Sequence, residues 1–300
     1  MVAFACVCSV AYAGVQDAES PGRSPQTVRF ALSDGNSMAG YVYGESESRP
    51  LLIMVHGASD THAVFDFAPG YRSAVEIAQQ GYGVLTLDRV GYGSSSHPNG
   101  DTLDYANQAR QLHELIDQVR AGVLGFVPPD VIVLAPSAGA DIALVEAGTY
   151  HDVDGLIVCF NTAQLQPALF SVDVGAWFAQ GDYFDFGVAF RADFFYTQPW
   201  AVQWVIDLDN ATRSLVPRAE IASALANVAA PYRPQVAAPV LLIQAEEDHL
   251  FVPEDDSALF SSSQDVTFEL LNHTGHKGFS HPTSKEAVVH SVERWLASRF

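Results

Sequence analysis

Three side chains in this sequence have the types and the order that nucleophilic catalysis needs. Ser137 sits in Val131-Ile-Val-Leu-Ala-Pro-Ser-Ala-Gly-Ala-Asp141, where an apolar run leads directly into a helix-forming one. Ala-x-Ser-x-Gly is close to the Gly-x-Ser-x-Gly nucleophile elbow, in which small residues let a strand and a helix meet at a sharp turn. Such a turn carries the serine Oγ past the sheet edge, near the positive end of the following helix. Ala135 in place of the first glycine and Pro136 before the serine are departures from that pattern. A serine hydroxyl is a weak nucleophile until a base takes its proton, and the base must itself be oriented.

Both partners follow downstream. Pro239–Gln244 reads as a buried strand, and Ala-Glu-Glu-Asp-His-Leu-Phe-Val-Pro253 comes after it. Asp248, just before an apolar-Pro step, is the candidate orienting carboxylate; Glu246 and Glu247 are its rivals. Val266–Leu271 then leads into Asn272-His-Thr-Gly-His-Lys-Gly278, which makes His276 the candidate base. His273 and His281 are nearby alternatives and read as surface histidines. Acyl transfer also needs donors aimed at a developing oxyanion. The apolar run Leu51–His56 ends in His56-Gly57-Ala58-Ser59, so the amides of Ala58 and Ala138 form the natural pair. His56 itself reads as a structural hydrogen-bonding residue.

The elements that must position these groups alternate between strand and helix. Thr27–Ser33 and Met38–Gly44, split by Asp34-Gly35-Asn36, read as a hairpin. Leu51–His56, Gly83–Asp88, Val131–Ala135, Leu156–Phe160 and Val240–Gln244 are continuous apolar runs, as expected of strands covered on both faces. Helical spacing marks Tyr71–Gln80, Leu103–Val119, Ala138–Ala147 and Ser284–Ala297, with Asp101 or Thr102 available to cap the second. The pattern implies a mostly parallel sheet with helices on both faces. Some eighty residues between the Leu156 and Val240 strands fit no single crossover. From Phe170 to Trp204 that insertion holds twelve aromatics in thirty-five residues, whereas the chain-wide 11% would give about four. Aromatics so concentrated are expected to pack on the body and wall an apolar pocket.

Composition excludes other classes. At 48% apolar and 17% charged, the 300 residues can build a large core and do not suit a disordered or coiled-coil chain. Fifteen Lys and Arg against thirty-five Asp and Glu leave a net charge of −20, which argues against nucleic acid and anionic membranes as partners. Three cysteines, Cys6, Cys8 and Cys159, cannot form a disulfide framework, and Cys159 reads as a core residue. No Cys/His spacing suits zinc, and neither metal nor cofactor is expected. Met1–Ala13 is apolar and too short to span a bilayer, and Ala11-Tyr12-Ala13 before Gly14 has the form of a signal cleavage site. The expectation is export to the periplasm or beyond; the missing positive charge ahead of the apolar run leaves the cytoplasm as the alternative.

Five marks in order resemble the α/β-hydrolase superfamily, from about Thr27 to the C-terminus. They are His56-Gly57, Asp88-Arg-Val-Gly-Tyr-Gly-Ser-Ser95, the Ser137 elbow, Asp248 and Gly275-His276. The resemblance implies an α/β fold with an eight-stranded mostly parallel sheet and a helical cap inserted after strand six. It divides the chain into a signal segment and linker (1–26), a core (27–161 and 238–300) and a cap (162–237). It also implies a triad of Ser137, Asp248 and His276, and makes the Asp88–Ser95 run a structural turn. The expected activity is that of a serine hydrolase, esterase-like, cleaving a medium-sized apolar ester through an acyl-enzyme. Non-hydrolytic use of the same triad (lyase, cyclase or perhydrolase) is the alternative, and a non-catalytic binding protein a third. The expected partner is a small apolar substrate; nothing in the sequence specifies an oligomer.

Overall fold

The computed structural model describes residues 24–300; Cys6, Cys8 and the cleavage site expected after Ala13 lie outside the described residues. Strands β1 (Gln26–Ala31), β2 (Ser37–Gly44), β3 (Leu51–Val55), β4 (Gly83–Asp88), β5 (Val131–Pro136) and β6 (Gly155–Cys159) are joined by helices α1 (Ser73–Gln79), α2 (Tyr105–Arg120) and α3 (Ala138–Tyr150). The stretch after β6 holds α4 (Val174–Phe178), β7 (Tyr183–Phe184), α5 (Val188–Phe195), α6 (Gln203–Thr212), β8 (Val216–Pro217) and α7 (Arg218–Leu225). Strand β9 (Val240–Ala245), strand β10 (Val266–Leu271) and helix α8 (Lys285–Ala297) close the fold.

Eight strands form one sheet in the order β1-β2-β4-β3-β5-β6-β9-β10. The β1–β2 hairpin is antiparallel and β2 joins β4 antiparallel; every other pair is parallel. The apolar runs are continuous because alternate residues feed two separate cores. Leu51, Ile53, Val131, Val133, Leu156 and Val158 pack toward α2 and α3. Their neighbours Leu52, Met54, Ile132, Leu134, Ile157 and Cys159 pack toward α1 and α8. Burying one such side chain contributes roughly 1.5–3 kcal/mol.

Local chemistry moved some helix ends. Helix α2 starts at Tyr105, because Asp104 rather than Asp101 or Thr102 accepts the Asn107 N–H (2.8 Å). Asp101 and Thr102 belong to a 3₁₀ turn that Asn99 caps. Helix α1 starts at Ser73, because Tyr71 is held in a turn by its own hydrogen bonds with Phe67 and Ala68. The insertion is also not wholly helical. Tyr183–Phe184 pairs antiparallel with Val216–Pro217, a two-stranded ribbon among short helices.

The Asp88–Ser95 run is a structural turn. Its buried carboxylate accepts from Ser94 N–H (2.8 Å), His62 N–H (2.9 Å) and His62 Nδ1 (2.8 Å). Burial alone would raise the Asp88 pKa, but these bonds outweigh it and hold the group at about 2. An unfolded aspartate titrates near pH 4. The charged form therefore stabilises the fold above about pH 4, and that contribution is lost as pH falls through the folded value. Asp88→Asn is expected to cost about 2 kcal/mol at neutral pH. In urea melts the gap to the parent should close as pH falls from about 4 toward 2; a gap independent of pH would contradict this.

Candidate active site

Ser137 joins β5 to α3 with φ 54° and ψ −130°, a region that non-glycine residues rarely occupy. Such a conformation costs of order 1–3 kcal/mol and persists only where its surroundings over-determine it. Here they do. The Ser137 N–H donates to Cys159 O (3.0 Å), and its carbonyl accepts from Ala140 and Asp141 N–H (2.8 and 3.2 Å) and from Asn161 Nδ2 (3.2 Å). The two departures from the motif cause no conflict. The β3–β5 ladder ends at Leu134, so the N–H that Pro136 lacks lies past its last rung. Ala135 packs its methyl in the core. Gly139 has no such latitude, since a Cβ there would lie 2.5 Å from Val55 O and 2.6 Å from His56 O.

His276 and Asp248 arrive on the loops after β10 and β9. Asp248 is clamped by its own turn: Oδ1 accepts from Leu250 N–H (2.7 Å) and Phe251 N–H (3.1 Å). That leaves Oδ2 for His276 Nδ1, 2.8 Å away. With Nδ1–H directed at Asp248, the Nε2 lone pair faces Ser137 Oγ, also at 2.8 Å. The imidazole is 4% exposed and lies between the rings of Phe195 and Phe251, 5.6 and 5.7 Å from its centroid. An oriented base in contact with a hydroxyl has the geometry for proton abstraction.

The rival residues go elsewhere. Glu246 accepts from the His273 N–H, Glu247 accepts from Trp200 Nε1, and His273 stacks on Trp200 at the surface. His281 is not the surface histidine the sequence suggested. It is fully buried, stacks on Tyr196, and burial pushes its pKa down to about 4. His56 is structural, as read: Nδ1 donates to Gly57 O (2.7 Å) and Nε2 accepts from Arg89 N–H (3.1 Å). Burial first, and then the Arg89 charge, hold it neutral. Cys159 is buried in the sheet, and burial raises its thiol pKa.

Ala58 and Ala138 flank the serine. Ala138 opens α3, so its amide has no intrahelical acceptor. The Gly57–Ala58 turn passes so close that a Cβ on Gly57 would lie 3.1 Å from Ser137 Cβ. Ser137, Ala58 and Ala138 share a cavity of about 90 Å³, walled by Leu169, Trp177, Phe186, Phe190 and Phe195 of the insertion. Not every aromatic of the cluster faces it: Phe170 and Trp204 are largely exposed. A smaller cavity of about 20 Å³ lies beside Ser137 and His276, bounded by Asp60 and Lys277.

A sheet of this order, with a serine on a strand-to-helix turn and acid and imidazole on the following strand loops, defines an α/β hydrolase. The sequence profile of the serine aminopeptidase S33 family matches residues 46–282. The chain belongs to that family, and it is a hydrolase of the α/β fold. No curated protein sequence matches it. Among solved structures it is similar to a thermophilic esterase from Thermogutta terrifontis, with a TM-score of 0.69, 19% identity, and coverage of 91% of this chain and 98% of that one. A hydrolase from Pseudomonas aeruginosa PA01 gives 0.68 and 21%, covering 90% and 98%. E-2-(acetamidomethylene)succinate hydrolase gives 0.66 and 18%, covering 91% and 99%. At such identities these likenesses concern the fold. No helix among the described residues is long and apolar enough to cross a membrane.

Sequence reasoning missed the buried charges behind the site: Arg89 with Glu220, and Lys277 with Asp60, Asp209 and Arg191. Only Lys277, next to His276, carried any local signal. The tight approach at Gly139 makes a direct prediction. Gly139→Ala must displace backbone rather than a flexible side chain, so it should cost at least about 1–3 kcal/mol in denaturant unfolding. A change below about 0.5 kcal/mol would show that strand and helix do not meet so closely.

Proposed function

We propose that the protein is a serine esterase that cleaves apolar esters through an acyl-enzyme on Ser137. The observation that carries this is the unbroken line Asp248–His276–Ser137, both hydrogen bonds at 2.8 Å, at the floor of an apolar cavity. Ser137 Oγ attacks the ester carbonyl while His276 Nε2 takes its proton. Asp248 holds the imidazole and stabilises its cation. The oxyanion is stabilised by the Ala58 and Ala138 amides, the second at the positive end of α3. His276 then protonates the departing alcohol and, in the second half-reaction, activates the water that frees the acid.

The residues 162–237 act as a cap on the core formed by 27–161 and 238–300, and their aromatic side chains select the substrate. An apolar cavity of 150 Å³ is known to hold benzene. A cavity of about 90 Å³ suits an aliphatic acyl group of about four carbons. The family name raises peptide substrates with a free amino terminus, but an ammonium needs an uncommitted carboxylate. Asp141, at the cavity wall, is taken up by Tyr105 OH (3.0 Å) and Asn161 Nδ2 (3.0 Å). Asp60 is paired with Lys277. Esters are therefore favoured over peptides.

A series of p-nitrophenyl esters tests this reading. Turnover should peak near butyrate, with aminoacyl p-nitroanilides at least about 100-fold slower. Ser137→Ala should lower kcat by about four orders of magnitude or more. Preference for an aminoacyl anilide, or activity that survives Ser137→Ala, would overturn it.

A further inference from the structure

The turn that carries the Ala58 amide is gripped at both ends by buried charges, and both grips end in the insertion. At the Gly57 end, the Arg89 guanidinium donates to His56 O (3.0 Å) and Gly57 O (3.1 Å). Its other N–H groups go to Gln108 Oε1 and to the Glu220 carboxylate of α7, the latter at 2.7 and 3.0 Å. Tyr92 OH and Gln108 Nε2 also donate to Glu220, at 2.9 and 3.0 Å, so its lone pairs are occupied from several sides. Arg89 and Glu220 are both fully buried or nearly so.

At the other end, Ser59 is held with φ 62°, and its Oγ accepts from Arg191 of α5. Arg191 pairs with Asp209 of α6, and the other Asp209 oxygen accepts from Lys277 Nζ at 3.1 Å. Lys277 returns to Asp60, one residue beyond Ser59. Ser59, Arg191, Asp209, Lys277 and Asp60 thus form a closed ring of two acids, two bases and a hydroxyl. The Lys277 N–H also donates to Phe195 O at 3.1 Å, which ties the His276 loop to the end of α5.

We propose that these two clusters are positioning devices: through Arg89–Glu220 and through Lys277–Asp209–Arg191, the insertion holds the Gly57–Asp60 turn so that the Ala58 amide faces the oxygen of a carbonyl bound at Ser137. None of the six charged residues in the two clusters touches the reacting atoms. Their effect on rate passes through one backbone N–H. Buried ion pairs suit this role because they fix geometry, and an uncompensated partner left in the interior moves or draws in water. The insertion is then part of the apparatus that meets the transition state, besides lining the pocket. This inference rests on the esterase reading above.

The test compares Asp209→Asn and Glu220→Gln with the parent, all checked for folding by circular dichroism. Three quantities are read with p-nitrophenyl butyrate as substrate: kcat, KM, and inhibition by butylboronic acid, whose serine adduct mimics the tetrahedral intermediate. A misplaced oxyanion donor should lower kcat roughly 10- to 100-fold, leave KM within about twofold, and weaken boronate inhibition by the same factor as kcat/KM. Binding of butanol, a neutral ligand of the same pocket, should not change. If kcat and boronate affinity match the parent, or if KM and butanol binding shift as much as kcat, the proposal is overturned. Should neither variant fold, Ser59→Ala, which removes only the hydroxyl that Arg191 holds, decides it by the same readouts. A parent enzyme that boronate does not inhibit would instead overturn the esterase reading itself.

Discussion

One contact organises this molecule: the imidazole of His276 against the hydroxyl of Ser137, between residues 139 positions apart in the chain. Neither side chain is reactive alone. The hydroxyl needs a base, and the base needs a fixed tautomer and a fixed plane. Three parallel strands, β5, β9 and β10, bring Ser137, Asp248 and His276 to the same end of the sheet. The backbone strain at Ser137 is the local counterpart of that demand. It is offset by the β6 carbonyl on one side and the first turn of α3 on the other.

How much of this the amino-acid sequence discloses depends on the range of the physics involved. Strand β4 coincides with its apolar run, β3, β5, β6 and β9 lie within a residue of theirs, and β10 matches the strand read at Val266–Leu271. A strand buried on both faces must be apolar throughout, and few other elements are. Ser137 and Asp248 stood out because each follows such a strand within a few residues; His276 stood out because glycines flank it in the loop after β10, itself only partly buried. Helix starts were less so. Asp101, Thr102 and Asp104 can all cap, and only tertiary demands decide; Arg218 claims Asp101 and leaves Asp104 to α2. His281 looked like a surface residue because a histidine in a polar loop usually is one. Its burial comes from Tyr196, some eighty-five positions away, which no local pattern reveals.

The insertion was legible in composition but not in architecture. Its aromatics announced an apolar wall, and Trp177, Phe186, Phe190 and Phe195 form one. Its polar residues gave no such signal, though they reach the loops of Asp248 and His276 and the turn of Ala58. Gln166 donates to Asp248 O (3.0 Å), Thr197 Oγ1 to Glu247 O (2.9 Å) and Arg191 to Ser59 Oγ, while Glu220 accepts from Arg89 (3.0 Å). Pairings between residues 50 to 132 positions apart depend on the completed fold. They are the part of the site that a linear reading loses first. They also make the insertion and the core difficult to separate, because parting them would strand charges in an apolar interior.

The most direct test of the central claim is the rate at which a fluorophosphonate probe modifies the folded protein, with the modified residue mapped by mass spectrometry. The account predicts a single adduct on Ser137, formed at least about a thousandfold more slowly in His276→Asn. Labelling of another residue, or equal rates in parent and His276→Asn, would contradict it.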